Sequence, residues 1–350
     1  MVYTIPTYTV PRHWREPSHN APPGRRRLIS QKGCHMRLAV ISDIHGNRTA
    51  LEAVLADAQK QNTDSYLFLG DYAVGYPWGN EVVSLIRSLR NAYAVRGNGE
   101  DYLAEIRQGG YCDFSVEQYK PVFWAYRMIP EDDLAYLEQL PTAMTLSVGS
   151  CSIYLNHSME LFYRLPGLFH PAEYNDEMLK APFTHEEYLK LAEKEILSSP
   201  GAAAEMLSLP AGIYLFGHNH LQFHMEYEGR LFINPGSCGE PLDWETTAAY
   251  TLLEIDKDSS RVTERRVAYD IDSTADSLQN SRFCSYAPIW MDLLKRNLLT
   301  GKDYFNTFVL HMNATAEAAG VTDYPYGNDI WKLAVASWDA DSIFRQPDTI

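Results

Sequence analysis

A chain of 350 residues that is 45% hydrophobic and 12% aromatic can bury a sizeable core, which excludes a disordered polypeptide. Its formal net charge of −15 argues against holding DNA or RNA on a basic face. No apolar run reaches the ~18 residues a membrane helix needs, and no signal-peptide core opens the chain, so the expected setting is soluble and away from membranes.

Residues 1–35 hold six Lys or Arg against one acid, Glu16, and five prolines without hydrophobic periodicity. They read as an unordered extension, with Met36 as an alternative start and a basic partner-binding arm as the functional alternative. From Arg37 the pattern alternates strands and helices. Strand 37–42 leads to a helix near 47–61, where Leu51, Val54, Leu55 and Ala58 fall at helical spacing. Strand 66–69 precedes a helix near 79–90, and strand 92–95 precedes a helix from about Glu100. Such a β-α-β-α-β succession predicts a parallel sheet covered by helices, with ligands at the carboxyl ends of its strands.

The second half is richer in paired strands. Segments 142–148 and 152–156 flank a turn at Gly149-Ser150, and 213–216 is followed by 222–227 and 230–233, the last two joined across Glu228-Gly229. Strands 249–255 and 261–268 follow. A helical insert is expected over 160–210, with an amphipathic helix 186–197 ended by Pro200-Gly201. Residues 36–270 then form the main domain, and 271–350 a helical extension packing on it, with helical spacing around 289–299 and 304–319.

The five cysteines (Cys34, Cys112, Cys151, Cys238, Cys284) are scattered and include no C-x-x-C pair. Neither a disulfide framework nor a zinc knuckle is indicated, and a reducing cytoplasm is the expected compartment.

Chemistry concentrates where strands end. Asp43-Ile44-His45-Gly46-Asn47 closes the first, and an acid and an imidazole two apart there point the same way. Gly70-Asp71, Gly97-Asn98, Asn156-His157 and Gly217-His218-Asn219-His220 close four more. Two divalent cations ~3.5–4 Å apart can bind a phosphoester and the attacking water, provided one carboxylate bridges them. Asp71 is the bridging candidate. Asp43 and His45 would hold the first cation and Asn98 and His157 the second, with His218 and His220 divided between them. Oxygen and nitrogen donors without thiolate suit manganese, iron, zinc or nickel and do not choose among them; manganese is the expected ion, with the other three as alternatives.

The series D-x-H-G-N, G-D, R-G-N, an isolated strand-end His and G-H-x-H resembles that of the calcineurin-like metallophosphoesterases, over roughly residues 36–268. Asn234-Pro235-Gly236-Ser237 is similar to a segment of the bacterial YfcE-like phosphodiesterase branch. The resemblance implies a four-layer α-β-β-α sandwich, with extra C-terminal helices here. It also implies His218 on the second metal, His220 on the first, and a bridging hydroxide attacking phosphorus in line. One departure stands out. The family pattern after R-G-N is usually a His that protonates the leaving oxygen, and here Gly99 occupies that place. Glu100, His224 or a metal-bound water could substitute for a group that contributes ~10²–10⁴ in rate.

Other residues carry two readings. Asn47 could cap its helix or touch phosphate, and Arg96 could contact phosphate or form a surface ion pair. Tyr72, Tyr76 and Trp78 could wall the cleft or pack the core. Trp290, Trp331 and Trp338 are expected to bury the C-terminal helices. His170, His185 and His311 lack matching context.

The expected function is a cytoplasmic dinuclear metal-dependent phosphoesterase acting on a small phosphodiester or phosphomonoester, with a nucleotide among the candidates. Nucleic acid and membrane are not expected partners, and a homo-oligomer is left open. A protein Ser/Thr phosphatase or dinucleoside polyphosphate hydrolase is the alternative within this chemistry. An interaction scaffold on the same fold, like the retromer's phosphoesterase-like subunit, is the alternative outside it.

Overall fold

The computed structural model describes residues 27–30, 35–110, 113, 115–159, 184–257, 259–323 and 325–344. Its first sheet has the order β11-β10-β2-β3-β4. Strands β2 (Met36–Ile41), β3 (Ser65–Phe68) and β4 (Ala92–Ala94) run parallel, while β10 (Ala248–Ile255) and β11 (Ser260–Val267) complete it antiparallel. The second sheet has the order β1-β5-β6-β7-β9-β8. Here β5 (Ala143–Val148) and β6 (Cys151–Asn156) form a hairpin, β6 runs parallel to β7 (Gly212–Leu215), and β8 (Gln222–Tyr227) pairs with β9 (Arg230–Pro235). Strand β1 (Arg27–Ser30) lies parallel to β5. It falls inside the stretch expected to lack order, so that expectation does not hold for these four residues.

The layering follows from the period of two along each strand. On β2, Met36, Leu38 and Val40 face the second sheet, packing with Leu155, Ile213, Leu215 and Ile233. Ala39 and Ile41 face the other way, onto helix α1 (Arg48–Lys60), which offers Ala50, Leu51, Val54 and Ala58. Outside the second sheet, Tyr214, Phe216, Phe223 and Phe232 pack on Ala202 and Met206 of the helix Pro200–Ser208. The result is a four-layer α-β-β-α sandwich.

Pro200 opens this last helix as well as closing the preceding one, His185–Ser198, because the missing amide costs nothing in a first turn. Two further helices, Lys120–Met128 and Glu131–Gln139, went unread in the sequence; Pro121 and Pro130 stand at their starts. The rest of the expected insert, 160–183, and His170 lie outside the described residues.

After β11 the chain forms helices at Ile271–Gln279, Arg282–Tyr286, Pro288–Thr300, Tyr304–Ala318 and Asn328–Ser337. Leu278, Phe283, Leu294 and Leu298 bury against Tyr76, Trp78 and Trp124 of the sandwich. A second cluster joins Phe308, Met312, Ile330 and Trp331, with Trp290 and Trp338 at its margin. None of the helices among the described residues is long and apolar enough to cross a membrane.

Candidate metal centre

The parallel strands of both sheets point their carboxyl ends to one edge, and seven polar side chains meet there. Asp43 and His45 follow β2, Asp71 follows β3, Asn98 follows β4, His157 follows β6, and His218 and His220 follow β7. Five of these seven take left-handed backbone angles: φ is 52° at Asp43, 50° at His45, 55° at Asp71, 75° at His218 and 60° at His220. For residues other than glycine such angles cost about 1–3 kcal/mol each and persist only where the surroundings enforce them. Here they turn each side chain off its strand and into the cleft.

Two groups of donors result. Asp43, His45 and His220 form one, and Asp71, His157 and His218 the other, with the ligand atoms of each within 4.8 Å of one another. Asp71 stands between them, its Oδ2 lying 3.8 Å from His45 Nε2 and 3.5 Å from His157 Nε2. Asn98 Oδ1 joins the second group, 2.9 Å from His157 Nε2.

Tautomers follow from what lies behind each ring. His45 Nδ1 faces the Val74 carbonyl at 2.7 Å, His220 Nδ1 the Glu240 carbonyl at 2.9 Å, and His157 Nδ1 the Leu69 carbonyl at 2.9 Å. A carbonyl only accepts, so each Nδ1 carries the hydrogen and each Nε2 turns a lone pair inward. The His45 and His220 Nε2 atoms are 3.1 Å apart, and buried Asp43 Oδ1, 3.6 Å from His220 Nε2, has no hydrogen-bond donor. Lone pairs so opposed need a proton or a cation between them. These residues therefore fit a pair of divalent ions.

Electrostatics agree with that geometry. Burial alone would lower the pKa of His45, but Glu240, Asp71 and Asp43 outweigh it and raise the value to about 9. His157 is also raised, against its burial, by Asp71, Asp43 and Glu100. Burial pushes the Asp71 pKa up, but His157, His45 and the Gly99 amide overcome it and hold the carboxyl below its ordinary range. Excess negative potential that retains a proton on imidazole also attracts a cation.

The remaining sequence candidates sit elsewhere. Glu100 is fully buried, with Oε2 accepting from the amides of Asp71 and Gly97 and Oε1 from Tyr72, each at 2.9 Å. Its burial and the neighbouring Asp71 raise its pKa to about 7. Both oxygens are spent on backbone, so Glu100 braces the loop under Asp71 and does not stand in for the proton donor. Asn47 caps α1, its Oδ1 accepting from Ala50 N at 3.1 Å while Nδ2 donates to Gly239 O at 2.8 Å. Arg96 pairs with Asp101 at 2.8 Å and donates to the Glu138 carbonyl, so its guanidinium has the ion pair and not a place in the donor groups. His224 lies against Glu264 at 2.7 Å, on β8. Tyr72 and Tyr76 are core residues: the Tyr72 hydroxyl donates to the Phe68 and Val95 carbonyls, and that of Tyr76 to Leu294.

Three residues escaped the sequence reading of the site. Asn234 is fully buried and donates to Gly217 O at 2.9 Å and Asn219 Oδ1 at 2.7 Å, shaping the loop that bears His218 and His220. Glu240 and Asn297 lie behind the first donor group. The Asn-Pro-Gly-Ser segment was a signal for Asn234; a lone Glu and a helical Asn gave none.

Among proteins of known sequence, an uncharacterized protein of Methanocaldococcus jannaschii is 27% identical over 255 residues, covering 73% of this chain and 95% of its own. A metallophosphoesterase structure from Sphaerobacter thermophilus superposes with a TM-score of 0.53 at 24% identity, over 77% of this chain and 100% of that one. A hypothetical protein from Pyrococcus horikoshii OT3 gives 0.52 at 17% identity, over 77% and 99%. These two likenesses concern the fold. The family model of the calcineurin-like phosphoesterases matches residues 36–222, more than half of the chain. With its strand-end donors gathered at one edge of a four-layer sandwich, this chain belongs to the calcineurin-like phosphoesterase family.

Proposed function

We propose that this protein is a cytoplasmic metal-dependent phosphoesterase that hydrolyses a small phosphodiester or phosphomonoester, with manganese as its ion. The observation that carries the reading is Asp71, one carboxylate within 4 Å of an imidazole nitrogen in each donor group. Two divalent cations held there would polarise the phosphoryl oxygens and generate the attacking nucleophile from water. The chain supplies the rest. Carbonyl contacts fix three imidazoles in the ligating tautomer, and the Gly99 amide holds Asp71 Oδ1 at 2.8 Å. An interaction scaffold would need none of these donors.

Purified protein stripped with a chelator should not hydrolyse bis-p-nitrophenyl phosphate, and added Mn²⁺ should restore turnover. Activity that persists without metal would refute the proposal. Acidity gives a second check. With His45 holding its proton up to about pH 9 in the cation-free protein, a binding cation must displace that proton. Mn²⁺ affinity should therefore climb between pH 6.5 and 8.5, by up to about tenfold per unit; a flat dependence would contradict the assignment of His45.

The place of the leaving-group acid is Gly99, whose added Cβ would sit 3.1 Å from Asp71 Oδ1 and 3.6 Å from Val74 Cβ. A side chain there stands beside the bridging carboxylate. The proposed enzyme thus favours leaving groups that depart without a proton, such as aryl or nucleotide-phosphate groups. Gly99→His should raise turnover of alkyl esters more than of aryl esters, towards the ~10²–10⁴ a general acid provides. Equal gains on both would count against this account of substrate preference.

A further inference from the structure

Glu240 lies behind the first donor group: it bonds His220 directly, stands near His45 and reaches Asp43 through Ser237. Its carbonyl accepts from His220 Nδ1 at 2.9 Å, and its Oε2 lies 3.7 Å from His45 Nδ1. Its amide donates to Ser237 Oγ at 2.8 Å, and that hydroxyl donates to the Asp43 carbonyl at 2.7 Å. Its other carboxylate oxygen accepts from Asn297 Nδ2 at 3.3 Å.

Asn297 is fully buried near the end of the helix Pro288–Thr300, where an amide side chain is a poor choice for either helix propensity or packing. The orientation of its amide is set by its partners. Tyr304 N can only donate, at 3.0 Å, so Oδ1 faces it and the NH₂ is left for the Glu240 carboxylate. The loop after this helix is fitted to the loop after Glu240. Gly301 accepts from Trp244 N at 2.7 Å with φ +67°, and a Cβ there would meet Trp244 and Glu245 backbone atoms at 2.6 and 2.7 Å. Through the Asn297 amide, the C-terminal helices reach the residue that stands behind the first donor group.

We propose that Glu240 is a positioning residue for that group, placing a carboxylate behind His45, and that Asn297 of the C-terminal extension holds it there. The Val74 carbonyl fixes the His45 ring, and negative charge on the far side of a ligating imidazole further strengthens its donor nitrogen; partners behind metal ligands contribute up to ~10–100-fold in metal affinity. The proposal rests on the dinuclear reading given above and makes the C-terminal helices part of the metal site, not only its covering.

Calorimetric titration of Mn²⁺ into chelator-stripped full-length protein tests it, with Glu240→Gln, Asn297→Ala and the double variant alongside the wild type. Glu240→Gln should weaken one of two sites ~10–100-fold and leave the other within about threefold, the second site reporting that the variant is folded. Asn297→Ala should weaken the same site, yet add less than about threefold in the Glu240→Gln background, because both act through one contact. A wild-type protein that fails to bind two Mn²⁺ would sink the dinuclear reading itself. If it binds two, unchanged affinities in Glu240→Gln, or equal losses at both sites, overturn the role of Glu240. A lowered Tm in Asn297→Ala with both affinities intact reduces Asn297 to packing and overturns its part.

Discussion

Asp71→Asn should lower Mn²⁺-dependent hydrolysis of bis-p-nitrophenyl phosphate by about 10³-fold or more. The side chain is nearly isosteric, so packing is unchanged, but the charge shared by the two donor groups disappears. Charge stabilisation by a metal contributes several kcal/mol in a transition state, and ~4 kcal/mol corresponds to ~10³ in rate. The variant should also bind fewer than two cations. Without metal it should fold, because the backbone partners of the loop, Glu100 Oε2 on Asp71 N and the contacts of Asp71 O with Ile44 and His45, do not use the lost charge. Near-wild-type turnover would remove Asp71 from its proposed place.

Gly97→Ala is the second large effect, and it acts by volume. Gly97 has ordinary extended angles, φ −100° and ψ −173°, so the backbone conformation itself admits alanine. Space does not: the new Cβ would stand 2.3 Å from Asp71 Oδ1, 2.7 Å from Asp71 N and 3.0 Å from His157 Cε1. Asp71 must move away from the position it shares between the two groups. Forcing a methyl into a packed site costs about 1–3 kcal/mol, and a shift of about 1 Å in reacting geometry costs ~10² in rate. A Tm lowered by several degrees together with ~100-fold lower kcat is the expected result. A variant with wild-type kcat would show that the loop around Asp71 is looser than its contacts require.

Much of the architecture was legible in the sequence because strand and helix periods differ. The run Leu38-Ala39-Val40-Ile41 and the helical spacing of Leu51, Val54 and Ala58 set β2 and α1 within a residue or so of where they lie. Turn chemistry fixed the hairpins, as at Glu228 and Gly229, both of which take positive φ. The helices between 120 and 139 were not read from the sequence, where Pro121 and Pro130 stand at their starts, and β1 offers only four residues of pattern.

At the site, sequence named seven polar side chains that come together, since each stands at a strand end where parallel topology aims it. It could not resolve residues with two plausible partners. Asn47 proved a helix cap and Glu100 a backbone clamp, because the deciding amides of Ala50, Asp71, Gly97 and Tyr72 come into reach only in the folded chain. Glu240 and Asn297 were invisible for the same reason: 57 positions apart, they meet only once the C-terminal helices dock.

The most direct test is a crystal structure of the protein grown with Mn²⁺, with anomalous scattering recorded to locate the ion. The account predicts two peaks ~3.5–4 Å apart on either side of Asp71, one contacting Asp43, His45 and His220 and the other Asn98, His157 and His218. A single peak, or peaks away from Asp71, would contradict it.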